Sequence, residues 1–182
     1  IEAMLGAIDL EVAALAADQV AATSAPVRSQ QEAAKLARRR WIVALLFGLW
    51  ARRGEIAKLR MNDFTFNGKH WKVQLHRKGG KDQDLIVAPW VMEELMRYRQ
   101  SMGLASLPSS EDDSLAVARL FERKDSKDEI DDTLIYREAV SAAKGAAAAV
   151  RACQVLPDMP PPDREMLAAR LDAVSPHWFR HS

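Results

Sequence analysis

The sequence predicts a mostly helical α+β fold with a small three-stranded antiparallel sheet. Three observations carry that prediction. Apolar residues recur at helical spacing before residue 60 and again after residue 89. Between them, from Asp63, the pattern switches to short alternating runs separated by Asn67-Gly68 and Gly79-Gly80. The stretch Trp41–Leu49 is almost unbroken in apolar character, as a helix buried on all sides requires. A chain of 182 residues suits one domain with a substantial core, and we read 1–182 as a single domain.

Met4, Leu5, Ile8, Val12, Leu15 and Val20 share a face of a first helix over 1–22. It reads as the first helix of the domain rather than a linker to a preceding one. Thr23-Ser24-Ala25-Pro26 is a break. A second helix begins at Glu32 and runs through Arg38-Arg39-Arg40 into the apolar run. Gly48 and Gly54 loosen the backbone around Arg52, and Glu55–Leu59 forms a short helix. Phe64–Phe66, Trp71–His76 and Leu85–Val87 are the three strands. Pro89 opens a helix that ends by Gly103, since proline suits the first helical turn. Residues 104–114 are a polar loop, Leu115–Phe121 a short apolar element and Asp125–Asp132 a charged connector. Asp131 or Asp132 caps a long helix through Leu134, Val140, Ala143 and Val150. Pro157–Pro162 is a loop, Arg164–Val174 a further helix, and Ser175-Pro176 the cap and first turn of another.

Charge is distributed unevenly. Residues 1–27 hold four acids and no Lys or Arg, a net of −4. Residues 28–81 hold 14 Lys and Arg against three acids, a net of +11, and the remainder nets −6. A basic block inside a nearly neutral chain predicts a face for a polyanion, with a solvated basic surface as the plain alternative. One cysteine, Cys153, excludes an internal disulfide framework and fits a buried or semi-buried position near a helix end. The longest apolar run is too short to span a membrane, which takes about 20 residues. The start at Ile1 and the stop just after a helix signal suggest an internal piece of a longer protein.

Three constellations bear on chemistry. Ala51-Arg52-Arg53-Gly54-Glu55-Ile56 places arginines directly after the buried helix, on a rigid support. Arg77-Lys78-Gly79-Gly80-Lys81 puts a lysine on a glycine turn. His177-Trp178-Phe179-Arg180-His181 sets a histidine one helical turn before an arginine. Two guanidiniums suit the non-bridging oxygens of a phosphoryl transition state, each offering a planar fork. A lysine on a short turn can protonate a leaving oxygen, and a histidine can stabilise the phosphoryl group or move a proton. His177 and His181 are spaced like a zinc pair, but Trp178 stands where a metalloprotease has glutamate and no third ligand is evident, so we expect no metal.

These segments resemble the boxes of the tyrosine recombinase (phage integrase) family. Phe47 to Phe64 is similar to its first box, where an arginine precedes a Ser/Gly-Glu-hydrophobic helix, a leucine follows and an Asp leads into the strands. Arg77–Lys81 with Leu85–Pro89 resembles the Gly-Lys-Gly-x-Lys hairpin, with Arg77 where the family has glycine. His177–Ser182 resembles the His-x-Leu-Arg-His box, with Phe179 in place of leucine. The resemblance covers roughly 28–182.

It implies the catalytic-domain fold of DNA breaking-rejoining enzymes and site-specific recombination through a 3′-phosphotyrosyl intermediate. By resemblance, Arg52, Lys78, His177 and Arg180 are catalytic, and Glu55 and His181 support them. No cofactor is implied. The implied partners are double-stranded DNA and, for the parent protein, a tetramer on DNA in the bacterial cytoplasm at the nucleoid. With the basic block, Arg38, Arg39, Arg40, Arg53, Arg77 and Lys81 are candidate DNA-backbone contacts.

One departure is large. The family's tyrosine follows the second arginine, whereas Tyr98 and Tyr136 precede His177. This chain alone is therefore expected to bind DNA without forming a covalent adduct. The rival readings are a non-catalytic DNA-binding or regulatory protein on the same scaffold, and a helical interaction domain without nucleic acid. Trp41, Trp50 and Trp178 are expected in the core rather than as base-stacking platforms, and His70 and His76 at the surface or on phosphate.

Overall fold

The structure is a computed structural model that describes residues 1–21, 26–77, 80–120 and 130–174. The described elements confirm a mostly helical α+β architecture with one three-stranded antiparallel sheet. Helices α1 (Glu2–Ala21) and α2 (Pro26–Gly48) precede a one-turn helix α3 (Arg53–Ile56) and a 3-10 turn at Met61–Asp63. Strands β1 (Phe64–Phe66), β2 (Trp71–Arg77) and β3 (Lys81–Ile86) follow. Helices α4 (Pro89–Ser101), α5 (Asp132–Arg151) and α6 (Pro161–Asp172) complete the described chain.

Helix α2 is the axis of the fold. Trp41, Ile42, Val43, Ala44 and Leu45 have no exposed surface, as the uninterrupted apolar run predicts. The Trp41 indole donates to the Ala116 carbonyl at 2.8 Å and stacks on Tyr98 with ring centroids 6.0 Å apart. Leu115–Val117 is therefore neither helix nor strand but a buried crossing segment, pinned to Arg60 by an isolated bridge and to Leu59 by Ala116 N–H. Gly48 lets α4 approach, because a β-carbon there would lie 2.3 Å from Val91 Cγ2.

Helix α1 does belong to this core: Ala3, Met4, Ala7 and Ile8 are buried with the residues of α2 and α5. The alanine enrichment of α5 has the same cause. Ala139, Ala142, Ala143, Ala146 and Ala147 are fully buried, and small side chains let neighbouring helices close in. Its N-cap is Asp131, whose carboxylate accepts from Thr133 N–H at 2.9 Å.

The sheet is a meander in the order β1-β2-β3, with Phe64 paired to Val73 and Val73 to Leu85. Gly68 and Gly80 hold φ of +87° and +69° at its turns, conformations open to glycine at little cost. Val73 and Leu75 face the core, while Gln74 and His76 face out.

Several boundaries differ from the sequence reading. Helix α2 starts at Pro26 rather than Glu32, since proline occupies its first turn. Strand β3 starts at Lys81 because hairpin pairing recruits Lys81–Asp84 despite their polarity, and α6 starts at Pro161 for the same first-turn reason. Cys153 is exposed, not buried: it lies beyond the end of α5 at φ +55°, outside the packed face. The 121–129 connector and the Ser175-Pro176 helix start lie outside the described residues, as does Trp178.

Candidate functional site

Arg52 stands at the point where α2 has ended and α3 begins. Its backbone is extended (φ −74°, ψ 151°), the usual state of a residue that precedes a helix. Its amide donates to Glu55 Oε2 at 2.8 Å, the glutamate half of a capping box. This is why glutamate three residues on matters locally: it satisfies an amide that no helical carbonyl can reach. The guanidinium itself is 68% exposed, and its Nη1 lies 3.9 Å from Glu55 Oε1. Arg52 is thus anchored through its backbone while its charge faces solvent.

Glu55 is buried, with its side chain only 7% exposed. Its Oε1 also lies 3.7 Å from Arg77 Nε at the end of β2. One buried carboxylate therefore ties the loop that carries Arg52 to the root of the β2–β3 turn. The buried carboxylate is answered directly by the Arg52 amide and, at longer range, by the two guanidiniums. Lys81 opens β3 across from Arg77 and is exposed. The structure thus brings together Arg52, Glu55 and Arg77 of the predicted set, with Lys81 paired to Arg77 in register. Lys78, His177, Arg180 and His181 lie outside the described residues.

The triplet Arg38-Arg39-Arg40 does not form a DNA-facing patch. Arg38 and Arg40 are buried, and all three guanidiniums point at carboxylates. Arg38 Nη2 and Arg39 Nε each lie 3.0 Å from Glu138, and Arg39 Nη1 lies 3.0 Å from Glu11. Arg40 forms a bidentate pair with Glu94, at 2.6 and 2.9 Å, and also meets Asp9. The assignment of these arginines to the DNA backbone is corrected on that ground: their charge is spent inside the fold, joining α2 to α1, α4 and α5. Arg53 is similarly engaged. Its guanidinium sits 3.4 Å from Asp132 and 5.7 Å above the Tyr136 ring, and its side chain is 19% exposed.

Neither tyrosine is placed as a nucleophile. Tyr98 is 2% exposed, its hydroxyl accepts from Ala118 N–H at 2.8 Å, and burial raises its pKa above the usual phenol value. Tyr136 is half-buried beneath Arg53. His76 is at the surface but is not a free phosphate contact, because it bridges two carboxylates: Nε2 lies 3.2 Å from Asp63 and Nδ1 3.1 Å from Asp82. The hydrogen bond to Asp82 leads in raising its pKa, with Asp63 adding to it against a partial desolvation.

Trp50 overturns its expectation. It is not core but 65% exposed, at φ +51°, two residues before Arg52. Helix α2 stops at Gly48, and Trp50 projects outward between the buried Leu49 and Ala51. Gly48, a poor helix residue near the end of the run, is the signal that locates this exit. No helix among the described residues is long and apolar enough to cross a membrane. No family model matches this chain, and no curated protein matches it.

Proposed function

We propose that this chain is part of the catalytic domain of a site-specific DNA recombinase or integrase of the tyrosine type, with the fold of DNA breaking-rejoining enzymes. One observation carries the reading: the buried Glu55 carboxylate couples the exposed, backbone-anchored Arg52 to Arg77, the residue that precedes Lys78. The capping bond fixes where the Arg52 side chain starts, and its exposed guanidinium offers a planar fork that matches a phosphodiester.

In this reading Arg52 and Arg180 hold the non-bridging oxygens of the scissile phosphate. Their charge opposes the negative charge that builds up in the transition state. Lys78 protonates the leaving 5′ oxygen, and His177 assists at the phosphoryl group with His181 behind it. Glu55 positions Arg52. Arg77 and Lys81 flank the lysine on the hairpin that reaches the DNA. The nucleophilic tyrosine comes from outside these 182 residues, since Tyr98 and Tyr136 are both engaged in the fold. The parent protein works on double-stranded DNA as a tetramer, at the bacterial nucleoid.

The burial of Tyr98 and the engagement of Tyr136 also favour a second reading, a DNA-binding protein on this scaffold that never cuts. Covalent trapping separates the two. The longer parent protein, incubated with nicked DNA from the ends of its own element, is expected to give a protein–DNA adduct on a denaturing gel. The adduct should vanish in Arg52→Ala and Arg180→Ala. Salt-sensitive DNA binding with no adduct across several candidate sites would establish the non-catalytic reading. Absence of both would overturn the DNA assignment.

A further inference from the structure

Trp50 combines three properties that ordinary packing does not explain. Its indole is 65% exposed, although its neighbours Leu49 and Ala51 are both buried. Its backbone lies in the left-handed region at φ +51°, which a bulky side chain rarely adopts. It stands two residues from the exposed, backbone-anchored guanidinium of Arg52. Folding alone favours a small or polar residue here: glycine would adopt this φ without strain, and a polar residue would accept the exposure. Backbone strain that persists without a packing return points to a functional demand at the same place.

A second indole lies nearby. Trp90, at the start of α4 and 36% exposed, covers Gly48, with its ring carbons 3.1 Å from where a Gly48 β-carbon would sit. The outgoing end of α2 therefore carries a covering indole at Gly48 and a projecting one at Trp50.

We infer that Trp50 is a nucleobase-stacking residue that holds an unpaired base next to the phosphate gripped by Arg52. This rests on the DNA reading above and deepens it. An aromatic face accepts any base, because every base offers a π-face. An adjacent guanidinium supplies the phosphate contact that fixes the register of such a stack. Strand exchange at a cleaved site frees bases from their partners, so a stacking residue beside the scissile phosphate would hold the melted strand. A buried indole could not do this, and a glycine, although easier on the backbone, would have no surface to offer.

The test measures binding of the 182-residue chain to two labelled duplexes by fluorescence anisotropy over a salt series. One duplex is fully paired and the other carries a short central stretch of unpaired bases. The wild-type chain is expected to prefer the unpaired probe. Trp50→Gly should erase that preference, weakening binding to the unpaired probe about tenfold, the scale of a lost base–aromatic stack. Its salt slope should stay unchanged, since an apolar contact releases no counter-ions. Trp50→Phe should keep most of the preference. Thermal melting of Trp50→Gly should be equal to or above wild type, because glycine relieves the left-handed strain, so lost binding would not reflect lost folding. Should Trp50→Gly melt lower, Trp50→Asn, also tolerant of this φ, decides the point.

Equal binding of wild type and the Trp50 variants to both probes would overturn the stacking role while leaving the DNA reading intact. Loss of affinity for both probes alike in Trp50→Gly would also overturn it, as a general backbone contact would. Absence of salt-dependent DNA binding by the wild-type chain would remove the DNA reading and the inference together.

Discussion

Arg40 and Arg52 belong to the same basic stretch, yet the fold uses them in opposite ways. The Arg40 side chain is 11% exposed and locked between Glu94 and Asp9. The Arg52 side chain is 68% exposed, and its nearest carboxylate hydrogen-bonds its backbone at 2.8 Å while lying 3.9 Å from its guanidinium. The difference lies in what the tertiary structure sets opposite each one. Helices α1, α4 and α5 bring four carboxylates around this turn of α2, and among the described residues no such helix covers the turn at Arg52. Much of the charge asymmetry along the sequence is thus internal. Acids of the −4 segment, Asp9 and Glu11, answer cations of the +11 segment across the α1–α2 interface. A cationic stretch is evidence for a polyanion only to the extent that its charges stay uncompensated.

Mutations can break this contrast in graded steps. The largest effect is expected for Arg40→Ala, which leaves the buried Glu94 with only the exposed Arg97, 3.5 Å away: a loss of about 3 kcal/mol in urea unfolding. Combining it with Glu94→Leu should restore most of that loss, because a buried ion pair is often replaceable by apolar packing. A double variant as unstable as the single one would show that Arg40 acts through Asp9 instead.

Glu138→Ala comes next. It strips one carboxylate from two arginines and should cost about 1.5–3 kcal/mol, the range for hydrogen bonds to charged groups. A loss below about 0.5 kcal/mol would place both arginines among ordinary surface charges.

Arg52→Ala should sharpen the contrast from the other side. Its stability is expected to stay within about 0.5 kcal/mol of wild type. In the DNA reading its salt-dependence slope falls by about one, the effect of one lost phosphate contact. Clear destabilisation would show that Arg52 is a structural cation like Arg40.

The smallest effect concerns His76. Its folded pKa is raised above the usual 6.5 by Asp82 and Asp63. The ionised bridge therefore contributes stability below pH 6.5, and that contribution fades as pH rises through the elevated folded value. His76→Gln should flatten melting temperature against pH in that window, and an unchanged profile would mean the bridge adds nothing in water. The effect is small because the imidazole is half exposed.

The legible parts of the molecule were those whose signal is local. The capping Asp131, the Asn67-Gly68 turn and the buried run after Arg40 each depend on residues within a few positions of one another. So does the Glu55 half of the capping box, three residues from Arg52. The arginine triplet was misread because its partners, Glu94 and Glu138, lie far away in the chain. Trp50 was misread because apolar character does not reveal where a helix stops following the core.

By itself the sequence determined the element types, the sheet meander and the burial of α2, because periodicity, turn residues and caps act over a few residues. Only the tertiary structure decided which cations remain available. A charge is consumed or displayed according to the carboxylates that packing brings within about 4 Å, where pairing in a low-dielectric interior dominates. The same packing turned Glu55 inward between two arginines and Trp50 outward into solvent. That outcome depends on the paths of whole helices, which no short stretch of sequence encodes.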